Sequence, residues 1–427
     1  MHKSYLFSIL LSLSMISFVS CSNDEDVVGS QKKDPIHIEK YQISQADARN
    51  YVLDDVLNSN VFAETKSSGD YYISSDSVMF LDLIPEVHTK SVLSHLVPVY
   101  VFNLSSQENT EAGFVVISGD RRTTPVLMKA ESGRYNEETP FMQIVKDNLP
   151  YVLAGEIEST ELLIDSLLNK GKIQTKSTVV VRDSIYPISN TKYIKTVGPI
   201  TSTKWGQRAP YNYKMPNDCY ETQPASQSPA GCVAVAVGQI MAYYRYPSTY
   251  NYNDMMNGYA CYSGSIPVGS TQYNKTRDAV SQLMYDIGVG VDMNYGCSSG
   301  AVTIGTYGKT GQTYLQSLGY TCTSFTPNII NTYLSKNKPI LVSGRDPGEG
   351  GHAWVIDGYE LYMTEMRYQA WYSNGSTDFV DYTQDSYTVH CEWGWNNLYN
   401  GYYVAGVFNP SKYHFVNDIK YLFPEKK

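Results

Sequence analysis

The order of helical and strand-like patterns along this chain predicts an α+β fold. The first observation is an almost wholly apolar run from Cys232 to Tyr244, too short to span a membrane, which predicts a helix buried on nearly all sides. The second is a series of β-branched and aromatic runs after about residue 340, which predicts antiparallel strands. A helical lobe and a sheet lobe predict a two-lobed arrangement with a cleft. The predicted strands cover Ile340–Ser343, Ala353–Tyr359, Arg367–Ser373, Tyr387–Trp393 and Tyr402–Val407.

The first 35 residues have the composition of an export segment. His2 and Lys3 precede an apolar stretch of signal-peptide length, so residues 1–20 are interpreted as a lipoprotein signal peptide. The segment ending at Cys21 resembles a bacterial lipobox, in which the cysteine carries the lipid; the alternative is ordinary cleavage nearby, with this cysteine incidental. Residues 21–35 are polar and predict a tether, whose acidic start resembles signals for the outer surface of some Gram-negative bacteria.

Residues 36–195 are predicted to form a module of helix, sheet and helix without a candidate nucleophile. A capping box predicts a helix over about 44–59. A second helical stretch over about 140–168 is expected to bend or break at Pro150. Residues 169–200 have weak patterning and predict an exposed linker that suits proteolysis. The strands predicted between the helices are Val99–Leu104, Phe114–Ile117 and Thr124–Met128.

Cys232 is the first candidate functional residue. A loop containing Pro229 and Gly231 leads directly into the helix that this cysteine begins. At a helix N-terminus, the dipole and the unpaired N–H groups favour the thiolate, which is the nucleophilic form. The alternative is a small buried core residue, since free cysteines are commonly buried.

His352 is the best-placed partner for a cysteine nucleophile, which needs a nearby base that later protonates the leaving amine. It lies where the glycine-rich start of segment 350–359 runs into a strand pattern. Two other histidines follow Cys232, and His390 and His414 are interpreted as structural residues. Downstream, Trp393 and Trp395 flank a glycine, which predicts either core packing or aromatic walls that keep water from the histidine.

Together these residues resemble the streptopain family of papain-like cysteine peptidases. The order and spacing of the motifs agree over about residues 203–411, and the region around 113–120 resembles the propeptide of that family. The matching motifs are Trp205-Gly206-Gln207, Pro210-Tyr211-Asn212, Gly231-Cys232-Val233-Ala234, Leu283–Asp286, Val291–Gly296, Gly351–Gly358, Trp393-Gly394-Trp395 and Phe408–Ser411.

The resemblance implies a papain-like fold, with residues 36–195 as an inhibitory propeptide and 196–427 as the peptidase domain. It implies that Cys232 attacks the peptide carbonyl and that His352 forms the ion pair and protonates the amine. The side chain of Gln207 and the backbone N–H of the nucleophile would hold the oxyanion.

One position departs from the family pattern. The family usually has Asn immediately before Trp-Gly-Trp, as the group that orients the imidazole, and this chain has Glu392. A carboxylate can also accept the imidazole N–H, and its charge would raise the histidine pKa. The alternatives are that Glu392 points to solvent, or that Trp393 alone holds the ring.

Composition excludes several other classes of protein. The chain has 42% hydrophobic and 18% charged residues, which is globular, and its formal net charge of −9 offers no basic field for nucleic acid. There is no C-x-x-C pair and no histidine at zinc-ligand spacing, so no structural metal and no cofactor are expected. Of seven cysteines, five remain beside Cys21 and Cys232, so at least one of them is unpaired or pairs between chains.

The expected function is a surface-anchored or secreted cysteine endopeptidase made as a zymogen. Its expected partners are protein or peptide substrates, its own propeptide as an intramolecular inhibitor, and a dedicated protein inhibitor, with membrane contact only through a lipid. Two maturation cuts are considered, at Ile194-Lys195 and at Ile173-Gln174. The alternatives are a Cys-His enzyme that acts on cell-wall peptides, and a catalytically dead adhesion or binding lipoprotein.

Overall fold

The computed structural model contains a twelve-stranded sheet and eight α-helices within the residues that it describes. Those residues are 41–57, 71–83, 96–170, 180–220, 226–297, 310–324, 329–346, 350–408 and 419–426. The strands are β1 (Tyr72–Asp82), β2 (Leu96–Ser105), β3 (Gly113–Ser118), β4 (Val126–Ala130), β5 (Val180–Pro187), β6 (Lys192–Val197), β7 (Tyr320–Thr323), β8 (Ile340–Asp346), β9 (Gly350–Tyr372), β10 (Thr377–Glu392), β11 (Gly401–Val404) and β12 (Lys420–Lys426). The helices are α1 (Gln45–Tyr51), α2 (Pro140–Lys170), α3 (Cys232–Tyr244), α4 (Tyr252–Met255), α5 (Gly258–Tyr262), α6 (Thr271–Gly290), α7 (Gly311–Ser317) and α8 (Ile330–Leu334).

The sheet runs without a break from the N-terminal module into the C-terminal half. Its order is β1-β2-β3-β4-β11-β10-β9-β8-β12-β7, and β5 and β6 also pair with β9. The two halves join where β4 pairs with β11, with Lys129 opposite Tyr402. All the pairs are antiparallel, which confirms the sheet lobe expected after residue 340. The two runs predicted around 353–359 and 367–373 belong to one long strand, β9.

The N-terminal module has the predicted helix, sheet and helix, with one difference. The capping box at Ser44 is present, and α1 passes into a π-helical turn over Val52–Val56. The predicted break at Pro150 is wrong, because α2 is continuous through that proline. Leu149 and Val152 on either side of it are buried against the sheet, and this packing holds the helix together where the proline removes a backbone hydrogen bond.

The segment predicted to be an irregular linker contains two strands. β5 pairs with the outer part of β9, and β6 pairs with β9 between Tyr359 and Met363. Most of their side chains are exposed or half-buried, so their sequence lacks the alternation of a half-buried strand. Main-chain hydrogen bonds to β9, and not an apolar face, therefore define these strands.

The helical lobe packs around α3, as predicted. Its residues from Val233 to Ala242 are all buried. Gly238 allows close packing, because a Cβ there would lie 3.3 Å from Met284 of α6 and 3.5 Å from the Trp205 ring. A disulfide joins Cys219 to Cys297. The cysteines without a disulfide in the described residues are Cys232, Cys261, Cys322 and Cys391.

Side chains of β9 alternate between two faces of the sheet. Trp354 and Ile356 pack in one apolar cluster with α2, on what we call the α2 face. Ala353 and Val355 pack in a second cluster with α3, on the α3 face. The lobes therefore meet across β9, which begins next to the predicted catalytic histidine.

In the part of the chain that the structure describes, no helix is both long and apolar enough to cross a membrane. The same residues contain no group of three or more His, Cys, Asp or Glu side chains that could hold a metal ion. The predicted signal peptide, the tether, Cys21 and His414 lie outside the described residues.

Candidate active site

Cys232 is the first residue of α3, as predicted. Gly231 before it has φ = 89°, a conformation that favours glycine and turns the chain into the helix. The thiol is half-buried. Burial raises its pKa, while hydrogen bonds from the backbone N–H groups of Ala353, Val233 and Cys232 itself act in the opposite direction. The sulfur thus lies among donors that would stabilise its anion.

His352 is buried near the start of β9, on the α2 face. Its register partner on β8 is Gly344. A Cβ added to Gly344 would lie only 2.9 Å from Ile144, so α2 approaches the sheet closely there. Its Nε2 atom lies 2.9 Å from the carbonyl oxygen of Trp393. Because a carbonyl can only accept, Nε2 carries the hydrogen in this contact, and the neutral ring keeps its lone pair on Nδ1. Burial lowers the pKa of His352 to about 4, against the opposing effect of the Trp393 carbonyl.

Three tryptophans surround the His352 ring. Trp354 is stacked on it at 6.3 Å between ring centroids, with 9° between the planes. Trp393 lies at 6.2 Å, and Trp395 is edge-on at 6.1 Å. The expectation that the Trp-Gly-Trp motif walls the histidine therefore agrees with the structure.

The elements that carry the two candidate catalytic residues are in contact. The N–H that reaches the Cys232 thiol belongs to Ala353, the residue directly after His352. The helix N-terminus and the beginning of β9 therefore meet at the sulfur. An imidazole that retains its Nδ1 lone pair can accept a proton from a thiol.

Gln207 lies beside the nucleophile loop. Its backbone carbonyl accepts a hydrogen bond from the N–H of Ala230 at 2.8 Å, two residues before Cys232. On the other side, the Trp205 carbonyl accepts from the N–H of Asn396 at 3.1 Å. The segment that carries Gln207 is thus fixed between the nucleophile loop and the aromatic turn, and its side chain is half-buried.

The sequence profile of the Peptidase C10 family matches residues 205–403, a span that includes Gln207, Cys232 and His352. Streptopain of Streptococcus pyogenes is 25% identical over 362 residues, covering 73% of this chain and 75% of that protein. The thiol protease/hemagglutinin PrtT of Porphyromonas gingivalis is 28% identical over 345 residues, covering 73% of this chain and 34% of that protein. Among solved structures, prointerpain A of Prevotella intermedia is 21% identical with a TM-score of 0.46, covering 81% of this chain and 98% of that chain.

Together these matches support a streptopain-family cysteine peptidase. The chain is a cysteine-type peptidase.

In this peptidase, Glu392 lies on the other side of the sheet from the His352 ring. It is the register partner of Val355 and therefore extends from the α3 face. It is buried, and burial first and the charge of Asp357 second raise its pKa to about 7. The His352 ring donates to the backbone carbonyl of Trp393. This contact corresponds to the alternative in which Trp393, and not Glu392, holds the ring.

His390 is also buried on the α3 face. Its Nδ1 atom lies 2.5 Å from Asp357, and its ring packs against Tyr402. A β-bulge makes Asp357 the extra residue between Ile356 and Gly358, which aims its carboxylate at His390. These contacts agree with the structural role expected for His390.

Asn400 was not singled out from the sequence. Its side-chain oxygen accepts the N–H of Trp393 at 3.0 Å, and the residue is 1% exposed. It lies in the turn between β10 and β11, where Asn396, Asn397 and Tyr399 have positive φ. No periodicity or spacing rule indicates that such a turn returns an amide to the start of the aromatic motif.

Proposed function

We propose that this peptidase is an endopeptidase that uses Cys232 and His352 and is made as a zymogen. The observation that carries the proposal is the thiol at the first position of α3, held by the N–H that follows His352. The thiol transfers its proton to Nδ1 of the imidazole, and the sulfur attacks the peptide carbonyl. The imidazolium then protonates the leaving amine, and water hydrolyses the thioester to release the acid and restore the thiol.

The oxyanion is stabilised by two groups beside the nucleophile. One is the N–H of Cys232 at the start of α3, where the helix dipole adds to its effect. The other is the side chain of Gln207, whose backbone is bound to the nucleophile loop at Ala230. The Trp393 carbonyl fixes the ring of His352 so that Nδ1 stays available.

The inhibitory propeptide acts through α2 and β4. Ile144 of α2 approaches the sheet at Gly344, opposite His352, so this helix covers the face on which the catalytic ring lies. Lys129 of β4 forms a buried ion pair with Glu360 of β9 at 3.0 Å. With the thiol pKa raised and the imidazole pKa lowered by burial, both groups are neutral at pH 7 in the uncut chain.

Removing the propeptide would let water reach the histidine and allow the thiolate–imidazolium pair to form. Strand pairing bears on where the chain is cut. Ile194 lies inside β6, so a cut at Ile194-Lys195 requires this strand to leave β9. Ile173-Gln174 lies outside the described residues, between the end of α2 and the start of β5. We therefore favour maturation between Lys170 and Val180. N-terminal sequencing of the active form tests this, and a mature N-terminus at 195–203 would contradict it.

The decisive experiment compares Cys232→Ala with the matched control Cys322→Ala. Cys322 is a half-buried thiol in the same lobe, and burial raises its pKa to about 12. Loss of a catalytic nucleophile costs on the order of 10⁶ in rate. We expect Cys232→Ala to abolish cleavage of an unfolded protein such as casein, with an unchanged circular dichroism spectrum, and Cys322→Ala to retain activity. A folded and active Cys232→Ala enzyme would rule out this mechanism.

The same proteins separate the alternatives. Release of cell-wall peptides without casein cleavage would favour the cell-wall enzyme. An intact Cys232 that is not labelled by iodoacetamide after trimming would favour the dead binding protein. Activity of the uncut chain equal to that of the trimmed enzyme would rule out the zymogen.

The proposal includes export and a lipid anchor. It is supported by the signal-peptide pattern and the lipobox-like segment at Cys21, and the Cys219–Cys297 disulfide suits an oxidising compartment. Metabolic labelling with a fatty acid tests it: the wild-type chain should incorporate the label, and Cys21→Ala should lose it. Equal labelling of both proteins would place the lipid elsewhere.

A further inference from the structure

Asn400 is linked to His352 through one peptide residue. Its Oδ1 atom accepts the N–H of Trp393 at 3.0 Å, and the carbonyl of the same Trp393 accepts the Nε2–H of His352 at 2.9 Å. Asn400 and His352 are both buried, at 1% and 4% exposure, so neither contact is exchanged freely with water. The orientation of the catalytic ring therefore depends on how the Trp393 backbone is held.

The sheet does not hold this backbone by strand pairing. The register between β10 and β9 ends at Glu392 and Val355, one residue before Trp393. Gly394 follows with φ = 76°, so the chain turns away from the sheet at once. A buried N–H at such a point needs a partner, and the Asn400 amide supplies it.

Asn400 is itself anchored on both sides. Its backbone carbonyl accepts the N–H of Glu131 at 3.0 Å, and β11 begins at the next residue. Its amide nitrogen donates to Oδ1 of Asn397 at 3.3 Å. With this acceptor on its nitrogen side, the amide presents its oxygen to Trp393.

We propose that Asn400 is a positioning residue for His352, acting through the peptide groups of Trp393. This inference rests on the proposed function, in which His352 is the base.

Two nearly isosteric substitutions test the proposal in the processed enzyme. Asn400→Leu keeps the branched shape and removes the acceptor, whereas Asn400→Asp keeps the acceptor. A misplacement of about 1 Å at a catalytic group can cost about 100-fold. We expect Asn400→Leu to lower kcat by about 100-fold with KM changed less than about 3-fold, and Asn400→Asp to keep kcat within about 5-fold of the wild type. The matched control is Asn337→Gly, an exposed asparagine with positive φ outside the turn that holds Asn400, and it should keep kcat.

A second readout follows the ring directly. In full-length Cys232→Ala protein with ¹⁵N-labelled histidine, the His352 signals are assigned by their loss in His352→Ala. We expect the Nε2–H form in the parent and in Asn400→Asp, and a mixture of tautomers in Asn400→Leu. If Asn400→Leu does not fold, Asn400→Ala is measured in its place.

The outcomes separate this inference from the proposed function. Equal losses of kcat in the Leu and Asp variants, or an unchanged ring signal in Asn400→Leu, would overturn the positioning role while the Cys232 mechanism stood. Turnover by Cys232→Ala would overturn the mechanism whatever the Asn400 variants did.

Discussion

His352 and His390 are two buried histidines on opposite faces of one sheet, and their pKa values move in opposite directions. His352 lies on the α2 face among three tryptophans, where burial lowers its pKa to about 4. His390 lies on the α3 face, where burial also lowers the pKa but is outweighed by the charge and hydrogen bond of Asp357. The pKa of His390 is therefore raised overall.

The difference shows that burial alone does not define the role of a histidine in this sheet. His390 has a carboxylate partner within hydrogen-bond distance, and this partner favours its protonated form. The pKa of His352 is lowered mainly by burial, so its proton affinity can change with hydration of the α2 face. A residue that gains and loses a proton in each catalytic cycle needs that freedom.

The largest expected effect distinguishes the roles of the two histidines. His352→Ala should lower kcat/KM by on the order of 10⁶, as loss of a catalytic base does, with little change in folding. His390→Ala should keep activity within about 10-fold but lower the free energy of unfolding by about 3–5 kcal/mol, because the buried Asp357 loses its imidazole partner and keeps only its hydrogen bonds from Thr201. Casein cleavage and urea unfolding measure the two quantities. If the His390→Ala enzyme is inactive but fully stable, the roles assigned to the two histidines are reversed.

A second prediction concerns the ion pair between the module and β9. Lys129 and Glu360 are 3% and 2% exposed, and the ammonium also lies 4.7 Å from the Tyr402 ring centroid. Lys129→Met leaves a buried carboxylate unpaired and should destabilise the uncut Cys232→Ala chain by about 3–5 kcal/mol in urea unfolding. The double variant Lys129→Met with Glu360→Leu should recover most of that loss. If the double variant is as unstable as Lys129→Met alone, the ion pair contributes more to stability than is needed to offset the cost of burying its two charges.

Local patterns in the sequence predicted the parts of the fold that local physics determines. The apolar run after Gly231 predicted α3, and the glycine-rich entry to a strand predicted the placement of His352 at the start of β9. The pattern around Pro150 gave the wrong answer because tertiary packing on the sheet stabilises a helix that the proline alone would interrupt.

Other features depend on contacts between distant segments. β5 was not predicted because it is defined by main-chain pairing to β9, with outward side chains that show no alternation. The contact between Asn400 and Trp393 depends on a turn with residues in the left-handed region, which composition does not specify. The ring acceptor on His352 is a backbone carbonyl, and side-chain chemistry gives no sign of which carbonyl it is.

The smallest expected effect is that of Glu392→Gln, which tests whether the α3 face acts on His352 through charge. In the folded chain the pKa of Glu392 is about 7, raised from 4.5 by burial and by Asp357, while His390, Lys204 and the Asn400 hydrogen bond oppose the increase. Since the folded pKa is above the unfolded value, the protonated carboxyl favours folding. The contribution of Glu392 to stability is then greatest below pH 4.5 and falls as the pH rises to 7, by roughly 3 kcal/mol at most.

Glutamine keeps the size and the acceptor but cannot ionise, so Glu392→Gln should lack this decrease. Relative to the wild type, the variant should gain stability between pH 4.5 and pH 8, whereas Glu365→Gln, at a side chain 47% exposed, should not. Because the ring acceptor is the Trp393 carbonyl, we expect kcat/KM to change less than about 3-fold and the basic limb of the pH–rate profile to stay in place. The charge interpretation considered from the sequence requires the opposite, a basic limb shifted to lower pH, where the imidazolium is lost. Such a shift in a variant of unchanged stability would show that the carboxylate on the α3 face acts across the sheet on the histidine of the α2 face.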